Sequence, residues 1–228
     1  MLSFTASCIC NSKALQSANQ DNLLFSGQIL PEVNGGLAGT PTAKFSQNAP
    51  FVAGVYDGRG SAGARAACFA AGAFRAVADK LHSEQDLSAL LKELHNEFTV
   101  KAPADTGISA AAIAIRDDRL CMANFGSCRV YLLRDRALYI LSRQESTTAF
   151  LGDAGVRSVG PYTLSGVLHS GDRLLLGTDG LWGVLKDTDI LRILASEPGS
   201  AAMLQSLLQA AKDHGAADSV TAVMLCFD

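Results

Sequence analysis

The sequence predicts an α+β fold, a four-layer α-β-β-α sandwich of two antiparallel sheets flanked by helices, and three observations carry that expectation. Four period-two segments follow one another from residue 108: "ISAAAIAI", "RLCMANFG", "CRVYLLR" and "ALYILS". Their short, charged connections mark antiparallel hairpins rather than β-α-β units, most simply one meander. Strand-like segments open and close the chain, with paired helices between them. A helical stretch at 61–82 is filled with Gly and Ala, the composition of a helix lying close against a sheet.

In chain order, residues 2–10 alternate and "DNLLFS" at 21–26 looks buried, so two strands open the fold around a turn at 11–20. Residues 31–49 carry several Gly and Pro and read as a surface loop. Their "NGGLAGT" lacks the Lys-Ser/Thr of a phosphate loop, which argues against nucleotide binding. A buried strand at 50–56 leads into the Gly/Ala helix and a second helix at 84–98. After the four hairpin strands, residues 143–161 are irregular, "YTLSGVLH" is a strand, and "DRLLLGTD" is a buried strand ending on Asp179. Helices at 188–195 and 201–214 precede the final strand, "SVTAVMLCF". All of residues 1–228 read as one domain.

Composition narrows the function. The 228 residues are 48% hydrophobic and 18% charged, with a net charge of −3, and no run of Lys and Arg could track nucleic acid or an anionic membrane. The opening "MLSFTASCIC" lacks a basic flank and alternates like a strand, so a signal peptide is not expected, and no segment has the length of a membrane span. A cytoplasmic protein is the expectation. Cys8, Cys10, Cys68, Cys121, Cys128 and Cys226 show no Cys-x-x-Cys or zinc spacing and read as buried, reduced thiols.

Asp57 and Asp179 stand in matching contexts, "VAGVYDGRG" and "LLLGTDGLW": an apolar strand, a carboxylate at its end, a glycine, then a helix. Asp218 precedes the last strand in "GAADSVTAVML", and Asp21 precedes the second in "ANQDNLLF". A single Asp-Gly is ordinarily a tight turn. Four carboxylates at four distant strand ends are instead suited to converge on a hard divalent cation, which takes oxygen ligands from carboxylates, carbonyls and water. Glycine would let the carbonyl of Gly58 turn towards such an ion.

In order, and over nearly the whole chain, these stretches resemble the metal-dependent protein phosphatase family, the type 2C Ser/Thr phosphatases in their compact bacterial form. "ANQDNLLF" is similar to the family's amino-terminal acidic motif, "GVYDGRGSAG" to Asp-Gly-x-Gly, and "TGISAAAIAI" to its Gly-Thr-Thr-Ala strand. "ANFGSCRVYLLRD" resembles the Gly-Asp-Ser-Arg hairpin, "LLLGTDGLWGVL" the Ser-Asp-Gly-Leu-Trp motif, and "ADSVTAVML" the terminal Asp-Asn strand. The resemblance implies two Mg²⁺ or Mn²⁺ ions, with Asp57 bridging, the Gly58 carbonyl on the first, Asp179 and Asp218 on the second, and Asp21 holding water. It also implies hydrolysis of phosphoserine and phosphothreonine on phosphorylated protein substrates by a hydroxide between the ions, a cognate Ser/Thr kinase, and a monomer.

Four positions depart from the family pattern. Gln16 stands where many members carry a phosphate-binding Arg. Arg59 replaces the histidine of Asp-Gly-His-Gly and, being a guanidinium, has no proton to give at working pH. Ser127 replaces an aspartate associated with a third metal, so a third ion is not expected. Ser219 replaces an Asn beside Asp218, a change in the hydrogen bonding around a ligand. Arg59 beside Asp57 is a candidate for the phosphate contact that Gln16 lacks, against the alternative that it points into solvent.

The Asp-Thr-Gly of "APADTGIS" resembles an aspartic-protease signature, but neither a preceding buried strand nor a second copy is present. A phosphatase-like domain that binds phosphoproteins or a regulatory partner without turnover is the alternative to an enzyme. His82, His95, His169 and His214 fall outside the motifs, with His214 reading as a solvated helix-end side chain, and Trp182 reads as a packing residue of the Asp179 turn.

Overall fold

Alternation along each strand sorts its residues onto two faces, and the faces define the layers. Along β5 (Phe51–Arg59), Phe51, Ala53 and Val55 enter a core between two sheets, whereas Val52 and Tyr56 meet helices on the other side. The computed structural model describes residues 2–12, 19–46, 50–143, 150–153, 155 and 159–228. Six strands form the sheet containing β5: β2 (Asp21–Phe25), β3 (Gln28–Ile29), β6 (Gly107–Arg116), β7 (Arg119–Phe125) and β10 (Tyr162–Val167) complete it, in the order β10-β7-β6-β5-β2-β3. The facing sheet holds β1 (Ser3–Asn11), β4 (Thr42–Ser46), β8 (Arg129–Arg134), β9 (Ala137–Ile140), β11 (Arg173–Gly177) and β12 (Val220–Phe227), in the order β4-β1-β12-β11-β8-β9. All pairings between these strands are antiparallel.

Helices α1 (Gly63–Ala76) and α2 (Glu84–Lys101) cover the outer face of the β5 sheet, and α3 (Asp179–Trp182), α4 (Asp187–Ser196) and α5 (Ser200–Asp213) cover the other. The expected α-β-β-α sandwich is therefore the observed one. Ala66, Ala67, Ala70 and Ala71 form the buried stripe of α1, and their small size lets the helix lie close to β2 and β5. Ser83 starts α2 with a capping box: its hydroxyl accepts from the Asp86 N–H at 3.2 Å, and Asp86 accepts the Ser83 N–H at 2.9 Å.

Two expectations are corrected. The four hairpin strands are not one meander: β6 and β7 pair in one sheet, β8 and β9 pair in the other, and the chain crosses the sandwich between Phe125 and Arg129. Period two is the same in either sheet, so the pattern carries no information about which sheet a strand joins. Residues 31–49 are also not all loop, because β4 runs along β1 from Ser3↔Ser46 to Ser7↔Thr42 and packs Ala43 and Phe45 against the core. Its alternating exposure is that of an edge strand. Cys68 and Cys226 are only half-buried, and all six thiols are free.

The core between the sheets has two unlike ends. Phe4, Phe45, Phe51 and Phe227 pack ring to ring at one end, with centroids 4.6–5.2 Å apart. At the other end the same inward stripes run out onto polar side chains.

Candidate active site

The polar end follows from the register. On β2, Leu23 and Phe25 face the opposite sheet, which puts Asp21 on that face; on β5, Val55 is followed on that face by Asp57. Asp21 and Asp57 lie directly opposite each other, and Ser109 of β6 is directly opposite Asp57, giving a row of oxygen-bearing residues across three strands. From the other sheet, Thr178 extends the Leu174–Leu176 stripe of β11, and Thr221 leads the Val223–Leu225–Phe227 stripe of β12. The Thr178 hydroxyl donates to Asp21 Oδ2 at 3.0 Å and accepts the Thr221 N–H at 3.1 Å. Thus Asp21, 4% exposed, is gripped from across the sandwich.

Asp179 opens α3 directly after Thr178, and Asp218 sits two residues before β12. Gly180 allows them to meet, because a Cβ there would collide with the Ser219 carbonyl. A Cβ at Gly58 would likewise collide with the Gly63 carbonyl and crowd Gln20 O. Neither glycine has a positive φ. Both Asp-Gly steps are therefore close-approach positions, which corrects the expectation that glycine serves there by adopting conformations other residues resist.

The charges interact as a cluster. The Asp21 carboxyl is raised from 3.8 to about 7, chiefly by burial, with polar contacts from Thr221 and Thr178 opposing the rise and the charges of Asp218 and Asp179 adding to it. Burial raises Asp57 well above the usual range, reinforced by the charges of Asp21, Asp179 and Asp218. Asp179 is raised by burial and by Asp218, opposed by hydrogen bonds with Ser127 and Asp57. Burial and the neighbouring carboxylates also hold the Cys128 thiol protonated. Asp21 and Asp179 are thus the carboxylates that act most directly on Asp57, and like charges at this separation disfavour simultaneous ionisation.

This donor set fits hard divalent ions in its chemistry: oxygen atoms only, concentrated negative charge, and no basic side chain among the main influences on Asp21, Asp57 or Asp179. As placed, no group of three His, Cys, Asp or Glu among the described residues closes around a single point. The two findings differ because the electrostatic interaction extends beyond ligand distance, and because Asp218 is exposed, with Oδ1 accepting the Ser219 N–H at 2.8 Å. The carboxylates converge on one region without being drawn together in it. A cavity of about 360 Å³ opens beside them, lined by Asp179, Trp182, Val184 and Asp218 among others.

The remaining candidates are placed as follows. Arg59 is exposed, with its guanidinium carbon 4.1 Å from the Phe150 ring centroid. Trp182 walls the cavity and carries the Arg129 guanidinium over its ring at 3.7 Å, a role wider than packing. His214 Nδ1 lies 2.8 Å from Ala210 O on its own helix, and buried His95 accepts the Gly152 N–H at 3.1 Å. Gln16 and residues 144–149, 154 and 156–158 of the irregular segment lie outside the described residues. The usable sequence signal for Thr178 and Thr221 is their parity with the core stripes of β11 and β12; Ser127 lies in the turn between β7 and β8, where alternation gives no such signal.

Two six-stranded antiparallel sheets between two helical layers match the fold of solved PPM Ser/Thr phosphatases. The structure of the PstP catalytic domain in complex with two manganese ions superposes with a TM-score of 0.77 at 20% identity, covering 100% of this chain and 99% of that one. Mycobacterium smegmatis MsPP, solved with cacodylate, gives 0.75 at 20% identity over 97% of each chain. Residues 50–228 match the family described as Stage II sporulation protein E (SpoIIE), and the chain belongs to that family. Among curated relatives, Streptococcus pneumoniae protein phosphatase PhpP is 24% identical over 156 residues, 59% of this chain and 63% of PhpP. The probable protein phosphatase 2C 59 of Oryza sativa is 27% identical over 157 residues, 54% of this chain and 48% of the relative. The matches thus span less than two thirds of these relatives.

Proposed function

We propose that this domain hydrolyses phosphoserine and phosphothreonine on proteins with the help of two Mg²⁺ or Mn²⁺ ions. The observation that carries the reading is the cluster of Asp21, Asp57, Asp179 and Asp218 at one end of the sandwich, each of the three most enclosed raised by burial and by its neighbours' charge. Asp57 would be shared between the ions, with the Gly58 carbonyl on one and Asp179 and Asp218 on the other. Bound there, such ions supply a lowered pKa for water and neutralise charge on phosphoryl oxygens. Asp21, held by Thr178, which the Thr221 N–H holds in turn, would orient water from a fixed carboxylate. Arg59 would contact the substrate phosphate. Ser127, a neutral partner of Asp179, brings no acid of its own, which favours two ions over three. With no histidine beside Asp57 in the sequence, the leaving alkoxide would take its proton from water.

The assignment to protein substrates rests on the relatives' names, PhpP being called a protein phosphatase. A cytoplasmic monomer paired with a Ser/Thr kinase belongs to the same proposal; among the described residues, no helix is long and apolar enough to cross a membrane. Asp218 turned onto its own chain favours one rival, a domain that binds phosphoproteins without turning them over. Hydrolysis of an aryl phosphate and of a phosphothreonine peptide with Mn²⁺ separates the two. Turnover that needs Mn²⁺ and disappears in Asp179→Asn is expected; phosphopeptide binding with no turnover would establish the rival instead.

A further inference from the structure

We propose that Arg59 is the phosphate-binding side chain of this site and that Phe150 is the residue that positions it. The inference rests on the phosphatase reading and specifies how that site engages an anionic substrate.

Arg59 is the last residue of β5 and shares the Asp57 face by alternation, two residues or about 7 Å further along the strand. Directly opposite it on β6 is Gly107. A Cβ at Gly107 would collide with the Phe150 ring, so the ring occupies the space where a side chain facing Arg59 would stand. The guanidinium lies against that ring at 4.1 Å, on the face of the sheet that carries the carboxylates.

The ring is itself anchored. Leu151, fully buried, exchanges both backbone hydrogen bonds with Ile108 at 2.9 and 3.0 Å, and Gly152 donates to His95 on α2. Phe150 is therefore pinned beside β6 by its successors in the chain.

Arg59 is also without an ion pair among the described residues. Among the described residues the arginines in ion pairs are Arg65, Arg129, Arg134 and Arg192; Arg59 pairs with no carboxylate, although Asp57 is two residues away. Stacking uses the flat face of a guanidinium and leaves the donor fork in its plane available for a bidentate anion. An aromatic platform thus orients the charge without neutralising it, as a phosphate contact at the rim of a metal site requires.

The test is calorimetric titration of inorganic phosphate into the Mn²⁺-loaded protein, which reads binding whether or not turnover occurs. Arg59→Ala should weaken phosphate about tenfold, the loss of a charge-assisted contact. Phe150→Ala and Phe150→Leu should weaken it about two- to fivefold, Phe150→Trp should restore it, and Arg59→Ala/Phe150→Ala should be no weaker than Arg59→Ala alone. With an aryl phosphate, Arg59→Ala should raise KM by a similar factor while kcat changes less than about twofold. Phosphate affinity unchanged in Arg59→Ala, or absent from the wild type, overturns the proposal; full additivity in the double variant removes Phe150 from it. Should Phe150→Ala fail to fold, the Leu and Trp variants decide. Phosphate binding through Arg59 in a protein without turnover would refute the phosphatase reading while upholding this inference.

Discussion

At the scale of single residues, the carboxylates depend on neighbours that carry no charge. Thr178 reaches across the sandwich to Asp21 and is itself held by the Thr221 N–H, so removing the Thr178 hydroxyl leaves a buried carboxylate with one donor fewer and a poorer orientation. Thr178→Val should weaken Mn²⁺ binding about tenfold, measured by calorimetry, without changing the far-UV circular dichroism. Tyr56 makes the opposite case. Its hydroxyl is fully buried under α1 with no hydrogen-bond partner among the described residues, so Tyr56→Phe should be neutral or stabilise by up to about 1 kcal/mol in thermal unfolding. A loss of more than that amount would mean that the hydroxyl finds a partner in solution.

At the scale of elements, the site depends on how closely helices approach strand ends. Gly58 faces the start of α1 across a gap too small for a Cβ, so Gly58→Ala must push the helix outward and is expected to cost about 1–3 kcal/mol. That displacement should also reduce metal affinity, because it moves the end of β5 that carries Asp57; full stability with full affinity would contradict the close-approach account. The α2 cap makes a control away from the carboxylates. Ser83→Ala removes a capping box and should cost about 1 kcal/mol in chemical denaturation while leaving Mn²⁺ affinity unchanged. Both helix starts were readable in outline, since "HSEQD" spells a cap and "SAGARAA" a small-residue helix. The shorter extent of α1, which ends at Ala76 and passes through a 3-10 turn at Ala78–Lys80, was not, because helix ends are weakly encoded.

For the whole molecule, the cluster couples stability to pH. Asp21 titrates near 7 in the fold against an ordinary 3.8, and Asp57 and Asp179 are shifted in the same direction. The folded state therefore binds more protons than the unfolded chain across that interval, and stability falls as pH rises through it. Chelator-treated protein should melt about 4–8 °C lower at about pH 8 than at about pH 5, on the order of 2 kcal/mol, and saturating Mn²⁺ should abolish the difference by taking the protons' place. A metal-free melting temperature that rises over the same interval would show that burial and neighbouring charge do not raise these carboxyls in the fold. Much of the architecture behind this coupling was legible in the linear pattern: the sandwich class, the helices, and the four aspartates at strand ends, because alternation, caps and Asp-Gly steps are encoded within a few residues. Only the tertiary structure decided that the hairpin run splits between two sheets, that Thr178, held by Thr221, grips Asp21, and that Gly107 leaves room for Phe150 beside Arg59. Those outcomes depend on which strands face one another across long stretches of chain, a choice set by burial and close packing that local periodicity does not encode.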